Sequence, residues 1–174
     1  MKLDDDDFTL FGLAPRQSLD RDALDARWRQ LQAEVHPDRH AAAGAAAQRV
    51  AMQWTVRINE AYQRLKDPLK RAAYLCGLRG AAVDAERNTA MPPDFLVQQL
   101  QWREALDDAA DASAIERLDA DVAGQERALL ADVERRLDEQ GDAAGAAADV
   151  RALMFLHRFR REVARRLDAL DHRG

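Results

Sequence analysis

His36, Pro37 and Asp38 follow one another in the segment AEVHPDRH. An imidazole and a carboxylate this close could exchange a proton or pair with polar and charged groups of another molecule. The proline disfavours helical backbone at the residue before it, so a helix must end near Val35. Taken alone, the tripeptide is most simply a helix stop followed by a polar loop residue.

Other candidates for catalysis or metal binding are few. His36 and His40 flank Asp38, but one cysteine and four scattered histidines are too few for a zinc site of the usual kind. Cys76 has no partner for a disulfide and stands in the apolar segment AAYLCGL, which predicts a buried small side chain. Without a nucleophile–base pairing, a Gly-rich phosphate loop or a paired metal motif, the sequence predicts no active site, no metal and no cofactor.

Length and composition favour a globular protein. The 174 residues allow one domain or two small ones, and 47% of them are hydrophobic. The longest apolar runs are too short to span a bilayer, and the N-terminus is acidic where a signal peptide would be basic. We therefore expect a cytoplasmic protein without a membrane segment.

The formal net charge of −5 is unevenly distributed. Residues 1–80 contain 13 basic and 11 acidic side chains, whereas residues 81–174 contain 13 and 20. The acidic run Asp4–Asp7 is predicted to be a solvated tail. Without it, residues 8–80 form a modest basic field that would attract an acidic protein surface, and nucleic acid is a weaker inference.

Apolar spacing predicts an all-α protein, because strand signals are almost absent. Leu24, Trp28, Leu31 and Val35 form one stripe of a helix that starts near Ser18. A second stripe runs through AQRVAMQWTVRINEAYQRLK, and Asp67-Pro68 begins a third helix, 69–78. Two long antiparallel helices would then be joined by a loop of about ten residues, with His36, Pro37 and Asp38 exposed on it.

A linker near residues 81–91 separates this unit from a predicted antiparallel three-helix bundle in residues 92–174. The first helix would run from Phe95 to about Ala110 with Asp94 as its cap, and a capping box at Ser113 would begin the second. The last would run through Leu170.

The helix from Phe95 has a second apolar face that the core does not explain. Leu96, Val97 and Leu100 project away from the core stripe with Glu104 beside them, and Phe155 lies at the margin of its own stripe. These residues could belong to a wider core, be scattered surface residues, or form one exposed protein-binding patch. A basic strip on the last helix is interpreted as a solvated face rather than a nucleic-acid footprint; its members are Arg151, Arg158, Arg161 and Arg165.

Several of these motifs together resemble a known family. HPD between two amphipathic helices, followed by INEAYQRLKDPLKRAAYL, resembles a J-domain, the module with which co-chaperones engage ATPase chaperones of the heat-shock class. FTLFGL near the N-terminus, FLVQQLQWREALDD and LMFLHRF are similar to the HscB family, the co-chaperones of iron–sulfur cluster assembly. The likeness spans about residues 8–172, and it implies a J-domain in residues 1–80 and a scaffold-binding domain in residues 92–174.

The resemblance implies that His36, Pro37 and Asp38 dock on an HscA-type ATPase chaperone and stimulate its ATP hydrolysis. Arg27 and Arg29 would contribute to a basic face that meets the chaperone, although Ala33-Glu34 stands where J-domains often have basic residues. This function is that of a non-enzymatic adaptor. A general J-protein that holds unfolded chains is the alternative, but no Gly/Phe-rich linker or Cys-rich repeat is visible.

The resemblance also gives the second apolar face a role. It implies that the face binds an IscU-type cluster scaffold protein. Gln101 stands where relatives often have an acidic residue, so one charged contact would be missing. The implied scaffold-binding residues are Leu96, Val97, Leu100, Gln101, Glu104 and Phe155.

Overall fold

The computed structural model describes residues 1–173, and all regular structure within them is helical. The all-α prediction is therefore confirmed. The α-helices are α1 (Asp7–Phe11), α2 (Arg21–Val35), α3 (Ala45–Lys66), α4 (Pro68–Leu78), α5 (Pro93–Asp108), α6 (Ala112–Arg135) and α7 (Ala143–Asp171). A 3₁₀ helix, Pro37–Ala43, lies between α2 and α3, and a π-helical turn, Arg136–Gln140, follows α6.

The chain divides into two compact units, Met1–Leu75 and Cys76–Gly174, with the boundary inside α4. In the first unit, α2 packs against α3. No helix of the part of the chain described here, residues 1–173, has the length and apolar character needed to cross a membrane.

The start of α2 is decided by its cap. The Asp20 side chain accepts hydrogen bonds from the backbone N–H groups of Asp22 and Ala23, so the helix begins after Asp20 and not at Ser18. Leu24, Leu31 and Val35 of the predicted stripe are buried. The helix ends where the proline requires it to end.

Polar contacts fix how α2 lies on α3. Trp28 Nε1 donates to Asn59 Oδ1 at 3.0 Å, and Gln32 Nε2 donates to the same oxygen at 2.6 Å. The Trp28 ring also stacks on Tyr62, with 4.7 Å between ring centroids. Because residues later in α2 contact residues earlier in α3, the two helices are antiparallel, as predicted.

The acidic N-terminal run is not a solvated tail at its C-terminal end, so this prediction is wrong. Asp6 caps α1 by accepting from Thr9, and the Asp7 side chain is completely buried. The Asp7 carboxylate pairs with Arg57 at 2.8 Å and with Arg64 at 2.9 Å. Both partners lie on α3, far away in the sequence, and local pattern could not reveal them.

The second unit is a bundle of α5, α6 and α7. Asp111 caps α6 by accepting from Ala114, so the predicted capping box at Ser113 is wrong. Pro92 precedes α5 without a side-chain hydrogen bond, which also contradicts the predicted cap at Asp94. The fully buried centre of the bundle contains Ile115, Val122, Val133, Val150, Leu153 and Leu156.

The segment predicted to be a linker packs on α7 within the second unit. Arg151 donates to the Val83 carbonyl at 2.8 Å and to the Ala90 carbonyl at 2.9 Å. The Arg151 side chain is consequently buried, and its predicted place on a solvated face is wrong. The backbone carbonyls of the non-helical segment cover it.

We expect Asp7→Ala to lower the free energy of unfolding by about 3 kcal/mol, because removing one member of a buried ion pair leaves the others uncompensated. Arg57 and Arg64 keep some exposure to water, which places the loss at the low end of the usual range. Urea unfolding followed by tryptophan fluorescence measures it. Asp4→Ala, at an exposed position of the same run, is the control, and equal midpoints for both variants would contradict the role of Asp7.

Cys76 should resist modification in the folded protein. Its side chain is completely buried, and burial raises the pKa of the thiol from 9.0 to about 11, so the reactive thiolate is scarce at pH 8. We expect slow reaction with a disulfide reagent at pH 8 and rapid reaction in 8 M urea. Rapid modification of the folded chain would contradict the prediction that this cysteine belongs to the core.

Candidate functional site

The His-Pro-Asp tripeptide lies at the junction of α2 and the 3₁₀ helix. His36 ends α2 with an extended ψ of 128°, and Pro37 is the first residue of the 3₁₀ helix. The side chain of His36 is 57% exposed and that of Asp38 is 92% exposed. The predicted exposure between the two long helices is confirmed for His36 and Asp38, whereas Pro37 is half-buried.

A short hydrogen-bonded turn orients the imidazole. His36 Nδ1 accepts from the backbone N–H of Asp38 at 3.2 Å and lies 3.7 Å from the Asp38 carboxylate. In the neutral ring this arrangement leaves the proton on Nε2, where it can be donated outward. The carboxylate is free to accept bonds from a cationic group of a partner.

The residues after the tripeptide hold it against the end of α2. Arg39 Nη1 donates to the Ala33 carbonyl at 2.9 Å, and His40 Nε2 lies 3.4 Å from the Glu34 carbonyl. These contacts serve carbonyls in the last turn of α2 that have no partner within the helix. No cluster of three or more potential metal-ligating side chains occurs within residues 1–173.

Arg27 and Arg29 lie on different sides of α2. Arg27 is half-buried at the flank of the α2–α3 contact, whereas Arg29 is exposed. Two residues along a helix correspond to a rotation of about 200°, so the two side chains leave the axis in nearly opposite directions. Neither forms an ion pair within residues 1–173.

The outer face of α5 carries an exposed apolar patch. Leu96 is 59% exposed, Val97 60% and Leu100 67%. The opposite face of the same helix is buried through Phe95, Trp102 and Leu106. The alternative of a wider core is thus excluded for the three patch residues, and we call them the α5 patch.

Gln101 and Glu104 are exposed on the same helix. Neither has a hydrogen bond or ion pair within residues 1–173, so both side chains are available to a partner. Gln101 offers an uncharged amide, whereas Glu104 offers a carboxylate. The polar border of the α5 patch consequently has one negative charge here.

Phe155 of α7 packs against α5 at the edge of the bundle core. Its half-buried ring meets Phe95 edge to face at 5.8 Å and stacks on Phe159 at 6.0 Å between centroids. One side of the Phe155 ring therefore belongs to the core, and the rest of the ring is partly exposed.

One ion pair of this region could not be predicted from the sequence. Arg103 pairs with Glu162 of α7 at 2.8 Å and stands over the Phe159 ring, 5.4 Å from its centroid. It ties α5 to α7 next to the α5 patch. Sequence spacing offers no signal for it, because the partners are far apart along the chain and only the packing of two helices brings them together.

Comparison with known proteins connects these features to one family. A family model described as the HSCB C-terminal oligomerisation domain matches residues 91–164. The chain is 50% identical over 175 residues to a co-chaperone protein HscB homolog of Burkholderia pseudomallei (strain K96243), covering 99% of each. It is 51% identical over 170 residues to the corresponding protein of Ralstonia nicotianae, covering 96% of this chain and 97% of the other.

Solved structures agree with the sequence matches. The chaperone HscB from Vibrio cholerae has a TM-score of 0.78 at 36% identity, covering 95% of this chain and 99% of that one. Human co-chaperone HscB has a TM-score of 0.85 at 22% identity, covering 94% of this chain and 83% of that one, which supports the fold alone. With half of its residues identical to such relatives over its whole length, and with an HPD tripeptide between two antiparallel helices, the chain belongs to the HscB family of J-domain co-chaperones.

Proposed function

We propose that this protein is a non-enzymatic adaptor of iron–sulfur cluster assembly. It binds an IscU-type scaffold protein, delivers it to an HscA-type ATPase chaperone and stimulates ATP hydrolysis there. The observation that carries the proposal is that two exposed recognition features lie in separate compact units. The HPD tripeptide lies in residues 1–75, and the α5 patch lies in residues 76–174.

On the chaperone side, His36 and Asp38 supply the specific contacts. The Nε2 proton of a neutral imidazole can be donated to a chaperone oxygen, and the carboxylate can accept from an arginine. The bond from the Asp38 backbone N–H to His36 Nδ1 holds the imidazole in one orientation before binding, which reduces the entropy lost on docking.

The basic residues of α2 contribute to the encounter with the chaperone. Arg29 is exposed and Arg27 half-buried, so an acidic chaperone surface would be attracted mainly by Arg29. Glu34, near the tripeptide, weakens this attraction. We therefore assign specificity to the HPD tripeptide and only steering to the arginines.

On the scaffold side, the α5 patch and the exposed part of Phe155 supply apolar anchors. Exposed leucines grouped on one helix face and bordered by polar residues are typical of a protein-binding surface. Glu104 and Gln101 form part of the polar border, and only the first carries charge. This surface suits a partner with apolar side chains at its centre.

Linking the two sites in one chain supplies the physical logic of the adaptor. A scaffold held by the second unit is present at the chaperone at a high effective concentration whenever the HPD tripeptide is docked. The adaptor needs no reaction of its own. Purified protein should therefore hydrolyse no ATP by itself and should accelerate hydrolysis by the chaperone.

His36→Gln should reduce stimulation of the chaperone ATPase about tenfold or more, because a hydrogen bond to a charged partner contributes about 1.5–3 kcal/mol. Single-turnover ATP hydrolysis with the HscA-type chaperone measures it. Melting temperature and scaffold binding should stay unchanged, since the side chain is exposed. His172→Gln, at an exposed histidine of the second unit, is the control, and full stimulation by His36→Gln would refute the assigned role.

The double variant Leu96→Ala/Leu100→Ala should weaken scaffold binding about a hundredfold or more, because central apolar anchors commonly contribute about 2 kcal/mol each. Calorimetric titration with the IscU-type scaffold measures the affinity. Stability should change little, since both side chains are exposed.

Met52→Ala/Val56→Ala is the matched control for this variant. It truncates two side chains of the first unit that are 59% and 57% exposed. The control should bind the scaffold as the unmodified protein does. Equal losses in both double variants, or none in either, would remove the α5 patch as the binding site.

A further inference from the structure

A groove between α5 and α7 adjoins the α5 patch and is strongly cationic. Its volume is about 370 Å³, and it is open to solvent. Phe155 and Phe159 contribute apolar surface, and Glu162 is its one carboxylate. The arginines that line it are Arg103, Arg158, Arg161 and Arg165.

Three of the four arginines that line the groove form no ion pair within residues 1–173. Arg158, Arg161 and Arg165 are exposed and form no ion pair there, whereas Arg103 pairs with Glu162. Arg160, which stands between Arg158 and Arg161 on α7, is by contrast paired with Asp119 at 2.9 Å and with Glu126 at 3.0 Å. The groove thus gathers three guanidinium groups that form no ion pair in the part of the chain described here.

The spacing of the free arginines is unfavourable for an isolated helix. Arg158 and Arg161 are three residues apart, and Arg161 and Arg165 are four apart, so like charges are neighbours on one surface. Residues 81–174 contain 13 basic and 20 acidic side chains, which makes this cationic face an exception within an acidic unit. An acidic partner segment would relieve the repulsion.

The groove continues the α5 patch in a fixed direction. Phe95 meets Phe155, Trp102 meets Phe159 and Arg103 meets Glu162, so α5 and α7 run in the same direction. Leu96, Leu100 and Arg103 recur at i, i+4 and i+7, which places them in one row along α5. Moving along this row, a partner would meet apolar side chains first and arginines next.

We propose that the scaffold-binding surface extends from the α5 patch into this groove, and that the scaffold places an acidic segment over Arg158, Arg161 and Arg165. This inference rests on the proposed function, because it assumes that the scaffold binds the α5 patch. The occupant is a protein segment with apolar side chains followed by two or more carboxylates. Arg103 lines the groove and lies in the same row of α5 as Leu96 and Leu100, so the two surfaces are continuous along α5.

The test compares the charge-reversed variant Arg158→Glu/Arg161→Glu/Arg165→Glu with the full-length unmodified protein. Calorimetric titration with the IscU-type scaffold at about 0.1 M and 0.5 M salt gives both affinity and salt dependence. We expect the triple variant to bind at least about tenfold more weakly at the lower salt, with the difference shrinking at the higher salt.

Two controls separate this effect from other causes. Arg127→Glu changes an exposed arginine of α6 that does not line the groove and should leave affinity nearly unchanged. The variant Arg158→Gln/Arg161→Gln/Arg165→Gln removes charge without adding acidic repulsion and should bind with intermediate affinity. Circular dichroism melts verify that each variant is folded.

The outcomes distinguish this inference from the proposed function. If the scaffold binds, the α5 double variant fails to bind and the triple variant binds normally, the groove has no role and the α5 patch alone is the site. If the unmodified protein does not bind the scaffold at all, the proposed function itself fails. The unmodified protein is also tested for binding of single-stranded RNA and, by sedimentation, for self-association. If it shows either one and the triple variant does not, the acidic scaffold segment is overturned as the occupant of the groove.

Discussion

The antiparallel packing of α2 on α3 is the interaction on which the first unit depends. Burial of Leu24, Leu31 and Val35 stabilises this pair, and each such side chain contributes about 2 kcal/mol when removed from water. Because the helices are packed along their length, the connection between them must lie at one end. The proline at the start of that connection then turns the chain out of α2 and leaves His36 and Asp38 in solvent.

The connection is ordered by side chains rather than by a core. Arg39 and His40 return to the last carbonyls of α2, and His36 accepts from the backbone of Asp38. No residue of the 3₁₀ helix is buried. Recognition groups are thereby held in position by polar contacts that leave their outward surfaces free for a partner.

In the second unit, the two faces of α5 have different roles. The inner face of α5 enters an aromatic cluster with α7, through Phe95, Trp102, Phe155 and Phe159. The outer face keeps leucine and valine side chains in water, which contributes nothing to the stability of the isolated protein. Exposed apolar side chains of this kind are expected where a face binds a partner. The three unpaired arginines of the neighbouring groove likewise do not stabilise the isolated protein, because they form no ion pairs within residues 1–173.

Local patterns in the sequence determined the helical class, most helix positions, the loop position of the HPD tripeptide and the two faces of α5. These features depend on helix periodicity and on the backbone restriction of proline, which act over a few residues. Tertiary structure decided how charged residues are used. Arg151, Arg158 and Arg160 are chemically identical and close in sequence, yet the first is buried under backbone carbonyls, the second is free and the third is paired across α6. Asp7 likewise looks like part of a solvated acidic tail until α3 brings Arg57 and Arg64 to it. The partner of a charge is a neighbour in space, and only the packing of distant helices determines which neighbour that is.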